Sequence, residues 1–249
     1  MLTHLLIAVC STALSPCFVP TTLTVDDILN NVENADVSSV TATVAYTKTD
    51  PILNRREIRT GKVLFRMDED SKREAAILFD TLIIGRRKET STKHYIFSGR
   101  WMAEIDHGKK QFIKRELVAP GQEGIDPFEL GSGPIPLPIA QTRESILAKF
   151  NVVKTDIPEH GSLSKLNDNV IGLRLTPKTK DEWESIDLFY DPVTWLPVGV
   201  QTIEIDGTIR VSRLTNVSLN VLTAEEAQLL NMELPNPKEW SIDVRPYLK

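Results

Sequence analysis

The sequence predicts a mainly β protein, a curved antiparallel sheet with a few short helices. Three observations carry that reading. Residues 169–220 alternate apolar and polar side chains in strand, turn, strand order; residues 40–115 repeat that period between tight polar turns; and helical spacing is confined to three short stretches. Consecutive strands joined by short turns usually pair, so the pattern builds an antiparallel meander. A sheet of this kind points to a binder of something apolar rather than to an enzyme.

Taken in order, Leu2 to Pro20 holds no formal charge and contains the run Leu5-Leu-Ile-Ala-Val-Cys10. It is too short and too broken by proline for a spanning helix, which needs about 20 continuous apolar residues. Its length and position suit an export signal, although no Lys or Arg precedes the apolar run; a buried N-terminal strand is the alternative. The expected division is a signal over residues 1–20 and a single domain over 21–249, exported to the periplasm or beyond the membrane. Cys10 and Cys17 both fall inside the signal, so its removal leaves no thiol and no disulfide. Leu14-Ser-Pro-Cys17 resembles a lipoprotein cleavage box, from which Pro16 departs.

Val25 to Val37 reads as an amphipathic helix, with Thr24 or Asp26 as its cap and Ile28, Leu29 and Val32 on one face. From Val40 to Tyr46 the period changes to that of a strand. Further strands are expected at Ile58 to Arg66, Arg73 to Phe79, Leu82 to Glu89, His94 to Phe97, Trp101 to Ile105 and Gln111 to Arg115, with Ser98-Gly99 and Asp106-His107-Gly108-Lys109 as turns. Pro120 to Pro138 is too rich in glycine and proline for a central strand, and its Ile125, Phe128, Leu130, Ile135 and Leu137 suit a loop lying across an apolar surface. Ala140 to Phe150 follows as a helix capped by Thr142. Residues 169–220 supply about four strands, and Leu222 to Leu230 a short helix with Thr223 and Glu226 as a capping box. A last short strand follows the Trp240 anchor.

Twenty-nine basic against thirty-four acidic residues give a net charge of -5, which argues against a general nucleic-acid binder. The sequence holds no nucleophile elbow, no phosphate-cradling glycine loop and no His-Glu-x-x-His, so neither a catalytic residue, a cofactor nor a metal is expected. His4, His94, His107 and His160 are dispersed. Asp106-His107 invites a base-and-orienter reading, but its place between strands beside Gly108-Lys109-Lys110 favours a solvated turn. Asp181, Glu182, Glu184 and Asp187 read as a solvated, salt-laced hairpin rather than paired catalytic carboxylates. Arg55-Arg56, Arg86-Arg-Lys88 and Lys109-Lys110 read as solvated strand ends that discourage edge-to-edge pairing.

Val37-Ser-Ser-Val-Thr-Ala-Thr-Val-Ala-Tyr46 after a helix, then Gly61-Lys-Val-Leu-Phe65, Tyr95-Ile-Phe-Ser-Gly-Arg-Trp101, Leu188-Phe-Tyr-Asp-Pro-Val-Thr-Trp-Leu-Pro197 and Thr215-Asn-Val217 together resemble the LolA-like proteins, periplasmic carriers of outer-membrane lipoproteins and their relatives. The resemblance lies in the order of elements over residues 25–244. It implies an incomplete antiparallel β-barrel, a half-barrel of about eleven strands, covered by short helices over a cavity for acyl chains. It also implies a lid from the N-terminal helix, Pro120 to Pro138 and Ala140 to Phe150. Arg73 is the nearest match to the family arginine that couples lid opening to cargo transfer, without the proline and aromatic pattern that accompany it there.

Strand alternation places Val44, Leu64, Ile77, Phe97, Trp101, Ile186, Leu188 and Ile203 on the concave face as ligand-lining residues. A one-residue slip in register sends a side chain to the opposite face. The expected partners are lipid or lipoprotein acyl chains and an envelope membrane protein, with a monomeric chain and no nucleic acid. Two rivals stand beside the carrier: a non-catalytic envelope sensor or interaction module presenting Arg86, Arg87 and Lys88, and an enzyme, which needs His94 or His107 turned inward beside a carboxylate.

Overall fold

The computed structural model describes residues 23–67, 72–121, 139 and 141–247. The expected signal, both cysteines and the lid positions Ile125, Phe128, Leu130, Ile135 and Leu137 lie outside the described residues.

The chain runs α1 (Val25–Glu33), β1 (Ser39–Asp50), β2 (Arg55–Met67), β3 (Arg73–Ile84), β4 (Arg87–Ser98), β5 (Trp101–Asp106), β6 (Gln111–Glu116), α2 (Arg143–Lys149), β7 (Phe150–Thr155), β8 (Ile171–Pro177), β9 (Trp183–Tyr190), β10 (Pro197–Glu204), β11 (Ile209–Leu219), α3 (Ala224–Gln228) and β12 (Ser241–Arg245). The twelve strands form one sheet in the order β12-β6-β5-β4-β3-β2-β1-β11-β10-β9-β8-β7. It is open: β12 and β7 are its two edges, and no pairing joins them. Neighbours are antiparallel except β12, which runs parallel to β6. The expected fold class, an antiparallel sheet short of a closed barrel with short covering helices, is the one observed, with one strand more than the family comparison implied.

Two sequence-based boundaries change. The strand expected at Leu82 to Glu89 is interrupted: β3 runs on to Ile84 and the chain turns at Gly85-Arg86, where Gly85 has φ 61°, a conformation that suits a residue without Cβ. The pairing of β3 with β4 shifts between Phe79 and Thr81, where Asp80 alone stands against Ser91 and Thr92 of β4. β7 is an additional strand, following α2 directly at Phe150. Further shifts occur between β1 and β11, β2 and β3, and at two points between β9 and β10, and bulges of this kind bend a sheet.

Both faces of the sheet carry apolar residues, and the pleat sorts them. On the first face one cluster runs from β4 across to β7, through Phe97, Ile77, Phe65, Val44, Leu214, Val200, Leu188, Leu175 and Phe150, and takes in Ile28, Leu29 and Val32 of α1 and Ile146 of α2. On the second face a smaller cluster holds Leu64, Ala76, Ile96, Ala103, Ile105 and Phe112 beneath Leu230 and Trp240. α1 starts with a full capping box, Thr24 and Asp27 each satisfying the other's backbone N–H, and α3 repeats it with Thr223 and Glu226. No helix among the described residues is long and apolar enough to cross a membrane.

Candidate functional site

The first face is the largest apolar surface the fold assembles. β1 presents Val40, Ala42, Val44 and Tyr46 to it, with the intervening residues turned away. Register carries the row onward: Val44 lies opposite Leu214, Leu188 opposite Val200, and Ile77 opposite Val63. Val44, Ile186, Leu188 and Val200 are wholly buried. α1 and α2 lie over this face and are joined at the surface by Arg143, whose Nη2 donates to Asp26 Oδ1 at 2.7 Å.

Of the eight lining residues expected from alternation, the structure brings five together on the first face: Val44, Ile77, Phe97, Ile186 and Leu188. Leu64 belongs to the second-face cluster, because it sits between Val63 and Phe65, both of which face the other way. Trp101 shares its side of β5 with Ala103 and Ile105, and the Lys114 ammonium stands 5.2 Å from its ring centre. Ile203 alternates with Val200 and the buried Thr202 and so turns to the second face. These three differ by one step of register, the slip to which alternation is most sensitive. Arg73 opens β3 opposite Met67, on the side of Ala75.

Polar groups sit within this apolar face. Thr202 is 0% and Ser212 1% exposed, and neither hydroxyl has a hydrogen-bond partner among the described residues. Tyr190 is likewise buried with an unpartnered hydroxyl, and burial pushes its phenol well above the usual range. Arg210 donates from Nη1 to the Tyr46 hydroxyl at 3.2 Å and is ion-paired with Glu204, while Arg59 pairs with Glu57 at 2.7 Å. Sequence reasoning missed this polar group. Its signal was present, since Thr202, Ser212 and Tyr46 occupy inward positions of their strands.

The groups weighed for catalysis go elsewhere. His94 is buried on the second face, its ring stacked 6.3 Å from that of His107, which in turn meets Trp240 edge-on at 5.7 Å. Burial first, and His107 second, hold the His94 pKa down at about 4, against a bond to the Leu229 backbone that favours the proton. Asp106 Oδ1 accepts from the Lys109 N–H at 3.0 Å, which makes it a turn cap rather than an orienter for His107. Asp187 departs from the solvated hairpin expected of it: it is 2% exposed within β9, accepting from Arg174 Nε at 2.6 Å and Nη2 at 2.8 Å. Asp181, Glu182 and Glu184 are exposed as expected. Arg86, Arg87 and Lys88 lie exposed at the β3–β4 hairpin, Arg87 paired with Glu89. Among the described residues no three His, Cys, Asp or Glu side chains gather as a metal site.

No protein-family model and no curated protein sequence matches the chain. Solved structures similar to it include MucB, at 14% identity and a TM-score of 0.48, where the match covers 81% of this chain and 61% of that one. They also include an uncharacterized conserved protein from Thermus thermophilus, at 12% identity and a TM-score of 0.46, covering 88% of this chain and 98% of the other. The chain thus spans about three-fifths of the MucB structure and nearly all of the Thermus one. A LolA superfamily protein from Nitrosomonas europaea is similar at 11% identity and a TM-score of 0.34, over 82% of this chain and 97% of that one.

Proposed function

We propose that the protein is an exported, non-catalytic binder of lipid or lipoprotein acyl chains, which it holds against the first face of the sheet beneath α1 and α2. One observation carries the reading. The apolar cluster of that face extends over nine adjacent strands, β4 through β7 in sheet order, whereas the helices described over it are short. Laid flat, nine strands at about 4.8 Å spacing span roughly 40 Å. α1 and α2, at about 1.5 Å per residue, are roughly 13 and 10 Å long.

Val44, Ile77, Phe97, Ile186 and Leu188 line the site in this reading, and residues 21–249 act as one domain and one monomer. Each methylene taken from water contributes about 0.8 kcal/mol, so one long acyl chain gains enough to offset lifting two short helices. The Asp26–Arg143 pair is exposed and holds the helices weakly, since such pairs are worth about 0–1 kcal/mol. An envelope membrane protein is the partner for cargo exchange.

Native mass spectrometry of the protein purified from its own cells, with extraction and mass analysis of bound lipid, tests the reading. Co-purifying acyl species are expected, reduced when first-face Val200 is enlarged to Phe and unchanged for second-face Ile105→Phe. A folded protein of bare polypeptide mass that also takes up no added lipid overturns it and leaves a protein-interaction module.

A further inference from the structure

We infer that Ser212 and Thr202, with Tyr46 and Arg59 beside them, form a polar subsite for a neutral carbonyl, the ester or amide that joins an acyl chain to its head group; the inference rests on the acyl-binding reading above. Four adjacent strands place these residues together. Arg59 on β2 is the register partner of Tyr46 on β1, and Tyr46 of Ser212 on β11. Ser212 pairs in turn with Val200 on β10, which puts Thr202 diagonally next to it on the same face. Cross-strand partners have Cβ atoms about 4.5–5.5 Å apart and diagonal ones about 7–8 Å, so a single small group can touch several of these side chains.

The chemistry of the row is that of donors in want of an acceptor. The Thr202 and Ser212 hydroxyls and Nη1 of Arg59 are all buried and all lack a partner among the described residues. A hydroxyl buried without a partner costs about 1–3 kcal/mol, and two neighbouring ones on an otherwise apolar face define a place where a carbonyl oxygen is stabilised. Charge decides which acceptor fits. Both guanidinium groups are already engaged by carboxylates, Arg59 by Glu57 and Arg210 by Glu204, so neither is free to pair with a phosphate or a carboxylate. A neutral carbonyl accepts from hydroxyls without needing one.

The surroundings are graded in the same sense. Apolar Val44, Leu214 and Leu188 lie to one side of the row, and the charged Lys48, Glu57, Glu204 and Arg210 follow it to the other. Glu204 pairs in register with Trp183, beside which a cleft of about 290 Å³ opens between Pro177, Lys180, Glu184 and Ile205. An acyl chain on the apolar part thus sets its linking carbonyl at the hydroxyls and its head toward the charged end.

The test compares two probes that differ at that carbonyl: an acyl-ester lysophosphatidylcholine and its 1-O-alkyl ether analogue of matched chain length. Their affinities for the full chain are measured by titration. The wild-type protein is expected to prefer the ester by about tenfold, the size expected of one or two neutral hydrogen bonds. The T202V/S212A variant is expected to bind the ether as the wild type does and to lose the preference to below about twofold. Removing orphaned hydroxyls leaves no new unpaired group, so this variant is also expected to unfold no earlier than the wild type without lipid. Equal wild-type affinity for both probes overturns the subsite while leaving acyl binding intact, as does a preference that survives in the variant. Failure of the wild type to bind either probe overturns the subsite together with the reading on which it rests.

Discussion

Single residues show how unequally this fold treats its charges. Asp187 is buried while its partner Arg174 is 45% exposed, so the two halves of their bidentate pair are not equivalent. Arg174→Ala leaves a buried carboxylate with, among the described residues, the amide of Gln201 at 3.5 Å, and is expected to cost about 3–5 kcal/mol in urea unfolding. Asp187→Asn leaves an exposed guanidinium and is expected to cost about 1 kcal/mol. His94 adds a pH dependence. Its pKa is about 4 in the folded chain against an ordinary 6.5, so the unfolded chain binds a proton that the folded one refuses. The stability it contributes is complete above pH 6.5 and falls as the pH drops toward 4, by up to roughly 3 kcal/mol. His94→Gln is expected to flatten that part of the stability profile between pH 7 and 4.5; a variant with the wild-type slope removes His94 as its source.

At the scale of elements, much was legible because local chemistry decides it. Thr24 and Thr223 each stand three residues ahead of a carboxylate; Thr223 and Glu226 form the reciprocal cap expected of them, and Thr24, one of two candidate caps for its helix, forms the same box with Asp27. Thr24→Ala is expected to cost about 1 kcal/mol by denaturant titration. Long-range packing was not legible. Gly172 on β8 and Gly199 on β10 flank Phe189 of β9 in register, and a Cβ on Gly172 would stand 2.2 Å from the Thr155 carbonyl oxygen of β7. A Cβ on Gly199 would instead meet the ends of Leu163 and Leu166, at 2.9 and 2.8 Å, which are side chains able to shift. Gly172→Ala is therefore expected to destabilise more than Gly199→Ala and to speed hydrogen exchange along β7. β7 itself escaped sequence reading because Phe150 serves both as the last apolar residue of a helical pattern and as the first of the strand.

Among the described residues the molecule is an open sheet with an apolar cluster on each face, and that duality is why alternation alone does not assign a side chain to one of them. Period 2 identifies the strands, but with both faces apolar it does not say which of two neighbouring apolar residues faces the larger cluster. Ile77 and Phe97 lie on the first face and Leu64 and Trp101 on the second, and the register that joins these four residues runs through β2 to β5 without a shift between them. The four tryptophans report on the two faces separately. Trp183 belongs to the first-face cluster and Trp195 packs against it, Trp240 packs on the second, and Trp101 shares the second-face side of β5. The most direct test of acyl binding on the first face is quenching by a lipid brominated in its acyl chain, measured in single-tryptophan variants that retain Trp195 or Trp240 with the others replaced by Phe. Saturable quenching of Trp195 with Trp240 unaffected is the expected result; quenching of Trp240 alone, or of neither, contradicts it.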